Sequence, residues 1–294
     1  MAVFIASYIR RLDFSIISST SIDMRFLLAA LPFSILSRIF LPYIWTRLIK
    51  EYQDPDKPIH YWSLNYVYAK AWLGKYIPGK VAWIAGKVYF ALGLGISKAV
   101  LGITSVLDTI LQLLTALLIG VAFLFISGAS SNFSAAYVMF FLASTVVGVV
   151  SITPPVFNRL LSSGYKILKK KELNKKYFVS LKVLVKIIPM YFLIHSLSSL
   201  PIYFLIRTLG FDLSFIDLVY VSGAFIFAGA VGTLAFFAPS GLGVREGIIL
   251  LFLSNILPAE IGVIIVSSLR VWTIALDILY WALSLTVVKF RKLS

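Results

Sequence analysis

The part of this chain best suited to chemistry is the turn-forming segment 238–247, which lies between strongly apolar segments. Opposite charges stand side by side in it at Arg245 and Glu246. In hydrocarbon, a helix break is tolerated only where protein covers the freed amides or water reaches them. Ionisable side chains beside such a break therefore indicate a polar cavity, although a dipole-capping glutamate and a snorkelling arginine would give the same pattern. The residues predicted to break the helix are Pro239, Gly241 and Gly243.

A second apolar segment is interrupted at Pro78 and Gly79. Lysines flank this break at Lys75, Lys80 and Lys87. Cations close to helix ends are what a phosphate group requires, so these lysines are candidate headgroup contacts. The alternative, equally favoured by the sequence, is that they anchor the protein at the membrane surface.

Three further charges, Asp108, Arg270 and Asp277, fall inside apolar runs. A charge there costs from about 2.5 kcal/mol upward unless it is paired or hydrated, so pairing is expected. Arg270 and Asp277 are seven residues apart and share a helix face, where a structural bridge and a substrate contact are both plausible. His195 and Gln112 are isolated polar groups that favour hydrogen bonds between helices over ligand binding.

The composition predicts an all-α integral membrane protein. Of its 294 residues, 60% are hydrophobic and 13% charged, and the mean hydropathy is +0.95. In a soluble protein the net charge of +15 would suggest nucleic acid, but the basic residues lie between apolar segments and are better explained as topology signals and lipid contacts. The absence of cysteine and the presence of only two histidines argue against thiolate or transition-metal chemistry, and no cofactor is expected.

Apolar segments long enough for a span of about 20 residues predict roughly eight membrane segments in a single polytopic domain, 1–294. Two of them, 62–92 and the short 245–257, could be bent, re-entrant or paired half-helices. The predicted segments are 26–48, 62–92, 98–127, 134–155, 183–207, 215–238, 245–257 and 261–288.

A lysine-rich connection, 156–182, joins two halves of similar length, 1–155 and 183–294. By the positive-inside rule it is cytoplasmic, as are both termini, in a protein of the cytoplasmic membrane. Each half contains one Pro/Gly break, the pattern of inverted repeats around a site at mid-membrane, although a coincidence of turn residues would look the same. Small residues at 222–224, 228–230 and Gly232 predict close helix packing.

The two broken segments resemble the flippase-like membrane region of lysylphosphatidylglycerol synthases. The resemblance rests on the strings KYIPGK at 75–80, GIS at 95–97 with an acid at Asp108, PSGLGVRE at 239–246, and Arg270. Asp108 stands where a glutamate is expected, and Lys87 where an arginine is more usual. The resemblance implies a polytopic domain that moves a lipid with a modified headgroup between leaflets. Such relatives stand alone or accompany glycosyltransferases that use polyprenyl lipids.

These observations predict a lipid flippase or lipid-headgroup transporter for a modified phospholipid or a polyprenyl-linked glycolipid, with anionic or headgroup-modified membrane lipids as partners and no nucleic acid. Lys80 and Arg245 would hold the phosphate, and Asp108 or Glu246 would meet a cationic or hydroxylated headgroup. No long polar stretch could form an aminoacyl-transfer domain, so synthase activity is not expected. Two alternatives remain: a membrane enzyme acting on lipid-linked sugar or phosphate, and a membrane partner of a glycosyltransferase or synthase.

Overall fold

The computed structural model describes residues 22–54, 58–77, 82–128, 135–235 and 237–293. These residues form ten α-helices joined by turns and four short 3₁₀ segments, and no strand is found among them, which confirms the all-α prediction. The helices are α1 Met24–Tyr52, α2 Tyr61–Trp72, α3 Ala82–Ala91, α4 Lys98–Ile126, α5 Ala135–Ile152, α6 Pro154–Lys169, α7 Leu181–Thr208, α8 Phe215–Leu234, α9 Val244–Leu253 and α10 Ala259–Leu293. The 3₁₀ segments are Leu73–Tyr76, Leu92–Leu94, Lys175–Tyr177 and Pro239–Gly241.

Five of the described helices are long and apolar enough to cross a membrane: α1, α4, α7, α8 and α10. The predicted total of eight stays a prediction. Helices α2, α3 and α9 have 12, 10 and 10 residues, so each is at most about 18 Å long, against a hydrocarbon core of about 30 Å. The segments 62–92 and 245–257 are therefore not single spans.

Helices α2 and α3 form a hairpin that begins and ends on one side of the bundle, which we call side A. On this side the amide of Gln53, which ends α1, donates to the carbonyl of Gly95 behind α3 (3.4 Å), and Asn65 of α2 donates to Ser284 near the end of α10 (3.0 Å). The tip of the hairpin reaches Asp277, next to the middle of α10.

Helices α8 and α9 form a second hairpin that enters from the opposite side, side B. Tyr220 near the start of α8 donates to the carbonyl of Phe252 at the end of α9 (2.9 Å). Side B also holds the start of α1 and the end of α7, since the Asp23 amide donates to the Thr208 carbonyl (2.9 Å). The groups α1–hairpin–α4 and α7–hairpin–α10 thus run in opposite directions, which is the geometry of an inverted repeat.

Each side of the bundle has its own apolar core. The side A core includes Trp45, Tyr68 and Leu184, and the side B core includes Ile206, Phe252 and Ile265. The polar groups of the long helices lie at the level between these cores, where the tip of the first hairpin reaches Asp277.

Glycines allow α8 to lie directly against α4, as the small-residue run predicted. A Cβ at Gly120 would come within 2.7 Å of the Phe227 backbone, and one at Gly223 within 3.0 Å of the Leu124 backbone. Because the two helices are antiparallel, the C-terminal end of α8, where the second break begins, lies beside the middle of α4.

The lysine-rich connection 156–182 is not a simple loop. Residues Pro154–Lys169 form the amphipathic helix α6, because their apolar and basic side chains recur with the spacing of a helix and fall on opposite faces. The Asn158 side chain then binds the backbone of Val179 twice, at 2.7 and 2.9 Å, and folds the remaining residues back on α6.

Candidate polar cavity between two opposed hairpins

A cavity of about 240 Å³ lies where the tips of the two hairpins meet the long helices. Its polar lining comes from the middle of those helices: Arg38 is the central residue of the 29-residue α1, and Gln112 is the central residue of the 29-residue α4. His195 and Asp277 lie at or next to the middle of α7 and α10. The cavity is therefore about equally far from the two sides.

Asp277 is the centre of the charge cluster in this cavity. Its carboxylate, 1% exposed, is bound by the Arg38 guanidinium at 2.9 Å and by the Lys75 ammonium at 2.5 Å. The Tyr76 hydroxyl donates to the same carboxylate at 2.7 Å. Residues next to the first break and of α1 thus converge on an acid of α10, and two cations share one negative charge.

The second break is built for close contact with α8. Gly241 has φ +70°, and a Cβ there would lie 3.0 Å from the backbone of Gly232. Gly243, at φ +82°, ends the turn and caps α9. Left-handed backbone and the lack of space for a side chain explain why the break contains glycine at these positions.

Glu246 and Arg270 fasten this turn to α10. The Glu246 carboxylate accepts from the Gly243 amide at 2.7 Å and pairs with the Arg270 guanidinium at 3.3 Å. Arg270 also donates to the carbonyl of Ser240 at 3.2 Å. Both charges therefore have partners within the turn that they stabilise.

Arg245, which follows the same turn, lines the cavity instead. Its guanidinium carbon lies 4.4 Å from the centre of the Phe225 ring. Among the described residues it forms no ion pair with a carboxylate, in contrast to Arg38, Lys75 and Arg270. Arg245 is thus the cavity cation best suited to pair with an anionic ligand.

The described lining of the cavity contains three cations, Arg38, Lys75 and Arg245, and one carboxylate, Asp277. The neighbouring Glu246–Arg270 pair adds no net charge. An excess of two positive charges in a low-dielectric region is costly unless an anion or water compensates it. The arrangement is suited to binding an anionic group such as a phosphate.

Lys87 and Asp108 form a separate pair outside the cavity lining. Both side chains are fully buried, and the ammonium lies 2.7 Å from the carboxylate. Tyr191 (2.5 Å) and Tyr68 (3.2 Å) donate to the two carboxylate oxygens. Trp83, whose ring centre lies 4.6 Å from the ammonium, separates the pair from the cavity that it also lines. The structure thus does not bring Lys87 and Asp108 together with the other predicted contacts.

The Lys87–Asp108 pair is matched by the Glu246–Arg270 pair in the other half. In both halves a residue of the second hairpin arm binds the long helix that follows. Asp108 is the eleventh residue of α4 and Arg270 the twelfth of α10. The sign of the charges is reversed between the halves, so these positions are related by fold and not by sequence.

Of the predicted site residues, the structure gathers Lys75, Arg245, Glu246, Arg270 and Asp277 around the cavity. Sequence reasoning missed Arg38, although an arginine at the middle of the apolar run 26–48 is the same signal that identified Asp277. His195 makes the expected interhelical contacts, to Gln112 at 3.0 Å and Thr115 at 3.2 Å, and also lines the cavity. Pro78, Gly79 and Lys80 lie outside the described residues.

The family model described as lysylphosphatidylglycerol synthase TM region matches residues 1–280. Comparison with the curated proteins found no match to the chain. The match covers nearly the whole chain, both hairpins included, and the chain therefore belongs to the family of the lysylphosphatidylglycerol synthase transmembrane region.

Proposed function

We propose that this multi-pass membrane protein is a lipid flippase, which moves the phosphate headgroup of a lipid between leaflets while its tails stay in the bilayer. The observation that carries the proposal is the cationic cavity halfway along the long helices, between hairpins that enter from opposite sides. A headgroup at this depth would exchange water for fixed donors, which lowers the barrier to crossing hydrocarbon.

In this proposal the phosphate binds between Arg245 and the Arg38–Lys75 side of the cavity. Arg245 supplies a planar fork that matches two phosphate oxygens. Asp277 holds Arg38 and Lys75 in position and keeps the empty cavity from carrying three uncompensated cations. Glu246 and Arg270 act indirectly, by fixing the turn from which Arg245 projects.

The membrane-enzyme alternative receives less support from the same geometry. A general base would need a carboxylate free to accept a proton from substrate. Both acids at the cavity, Asp277 and Glu246, are engaged by cations, and no cluster of three potential metal ligands is found among the described residues. We therefore propose a transporter rather than an enzyme. From the positive-inside rule we propose that it lies in the cytoplasmic membrane with side A and the end of α10 inside, whereas the start of α1, on side B, would lie outside. A partner synthase or glycosyltransferase would supply or use the lipid.

Arg245 provides the test. We expect Arg245→Ala to slow leaflet exchange of a fluorescent anionic phospholipid in proteoliposomes by at least about tenfold, since hydrogen bonds to a charged group contribute about 1.5–3 kcal/mol. Arg245→Lys should retain part of the activity because it keeps the charge but not the fork. Arg159→Ala, the same change on the exposed face of α6, is the control. Parental exchange by folded Arg245→Ala would refute the proposed site.

A further inference from the structure

We infer that the cavity selects lipid phosphates whose headgroup is uncharged and hydroxylated, and disfavours headgroups that carry an added ammonium, as aminoacylated phospholipids do. The inference rests on the proposed transport of lipid and specifies the substrate class.

The first support is the state of the acids around the cavity. A cationic headgroup requires a carboxylate that can turn toward it. Asp277 is 1% exposed and already binds Arg38 and Lys75, and Glu246 is held by the Gly243 amide and Arg270. Asp108, expected from the sequence to meet such a group, is buried against Lys87 away from the cavity. None of these acids is available to an ammonium.

The second support is the excess of cations. An ammonium beside the phosphate would enter a space that Arg38, Lys75 and Arg245 already make positive. Repulsion between like charges in a desolvated site strongly disfavours binding of the wrong ligand. An anionic phosphate with no cation in its headgroup instead relieves the excess.

The third support is the uncharged polar lining. Thr109, Gln112 and Ser198 face the cavity from α4 and α7. The Thr109 and Ser198 hydroxyls donate to backbone carbonyls of their own helices, at 2.8 and 3.0 Å, so their oxygens can still accept. Acceptors and an amide suit the hydroxyls of glycerol or a sugar, and they supply no negative charge to compensate an ammonium.

The hydrocarbon part of the ligand also has a place in the structure. A mainly apolar groove of about 490 Å³ between α1, α7 and α10 shares one lining residue, Trp272, with the cavity. The Trp272 indole donates to Ser34 of α1 at 3.0 Å and so forms the boundary between the two spaces. A lipid tail in the groove would therefore lie one side chain away from a phosphate in the cavity. An apolar groove beside the cavity favours a lipid over a free phosphate as the ligand.

The experiment uses three lipids with the same acyl chains: phosphatidylglycerol, alanyl-phosphatidylglycerol and lysyl-phosphatidylglycerol, whose net charges increase in single steps. Binding to the purified full chain would be measured by native mass spectrometry, and leaflet exchange in proteoliposomes would be measured separately. Glycerol 3-phosphate, which has the phosphate but no acyl tails, tests whether the cavity binds a soluble phosphate instead of a lipid.

We expect affinity to fall along the series, with lysyl-phosphatidylglycerol at least about tenfold weaker than phosphatidylglycerol. Arg245→Gln should narrow this gap, because it removes one excess charge, whereas Arg159→Gln should not. Equal or tighter binding of the lysyl lipid would overturn the inference, as would binding of glycerol 3-phosphate as tight as that of the intact lipid. The predicted order of binding without any exchange would support this selectivity and refute transport.

Discussion

The buried Lys87–Asp108 pair allows a quantitative test of whether these residues serve the fold or the substrate. Both side chains are fully buried, and the carboxylate receives the ammonium and two tyrosine hydroxyls. The perturbation is Asp108→Asn, which keeps the shape of the side chain and an oxygen that can accept from Tyr191. It leaves the Lys87 ammonium buried with no countercharge.

Removing one partner of a buried ion pair costs about 3–5 kcal/mol, most of it from the charge left unpaired. Lys87→Met should cost a similar amount for the same reason. The double variant Lys87→Met/Asp108→Asn removes both charges, and a methionine side chain still packs against Trp45, Tyr68 and Trp83, which surround the ammonium at 4.6–5.4 Å. We expect it to recover most of the loss, so that the two changes are far from additive.

The assay is the free energy of unfolding from reversible denaturation in mixed micelles, with leaflet exchange measured per folded protein. The control cycle is Lys186→Met with Glu51→Gln, an exposed pair that also joins two helices, at 3.5 Å. It should show a coupling energy below about 1 kcal/mol. The reasoning would be refuted if the Asp108→Asn variant had the parental free energy of unfolding but lost leaflet exchange, since Asp108 would then act on the substrate.

Two further predictions concern the hairpins. Gly241→Ala should lower the free energy of unfolding by about 2–4 kcal/mol, because a residue in the left-handed region gains a Cβ 3.0 Å from the Gly232 backbone. Gly247→Ala, which has open space around it, is the control and should cause no measurable loss in the same assay. Equal effects of the two substitutions would show that the turn does not pack on α8. Cysteines at Gly93 and Lys170 should react with an impermeant reagent only from the cytoplasmic side, and Ser254→Cys only from outside. Labelling of Gly93→Cys and Ser254→Cys from one side would contradict hairpins that enter from opposite sides.

The sequence alone determined the membrane class, most helix positions and the two breaks. Hydropathy sets the length of each apolar run, and proline and glycine mark where the backbone leaves it, so α1, α4, α7, α8 and α10 lie close to the predicted segments. The sequence could not show whether the two broken segments cross the membrane or re-enter it. The path of a helix of 10 or 12 residues depends on the neighbours that it contacts, and those neighbours are distant in sequence.

The tertiary structure decided which charges meet. Arg270 and Asp277 share a helix face, yet they bind different hairpins. Arg270 pairs with Glu246 at the second break, whereas Asp277 binds Arg38 and, next to the first break, Lys75. Lys87 and Asp108, expected at the substrate, face each other in a closed pocket. A charge inside an apolar run predicts only that a partner exists. The partner that a charge finds depends on the rotation and depth of each helix against its neighbours. Those are set by packing between residues far apart in the chain, such as Gly120 with Phe227 and Gly223 with Leu124.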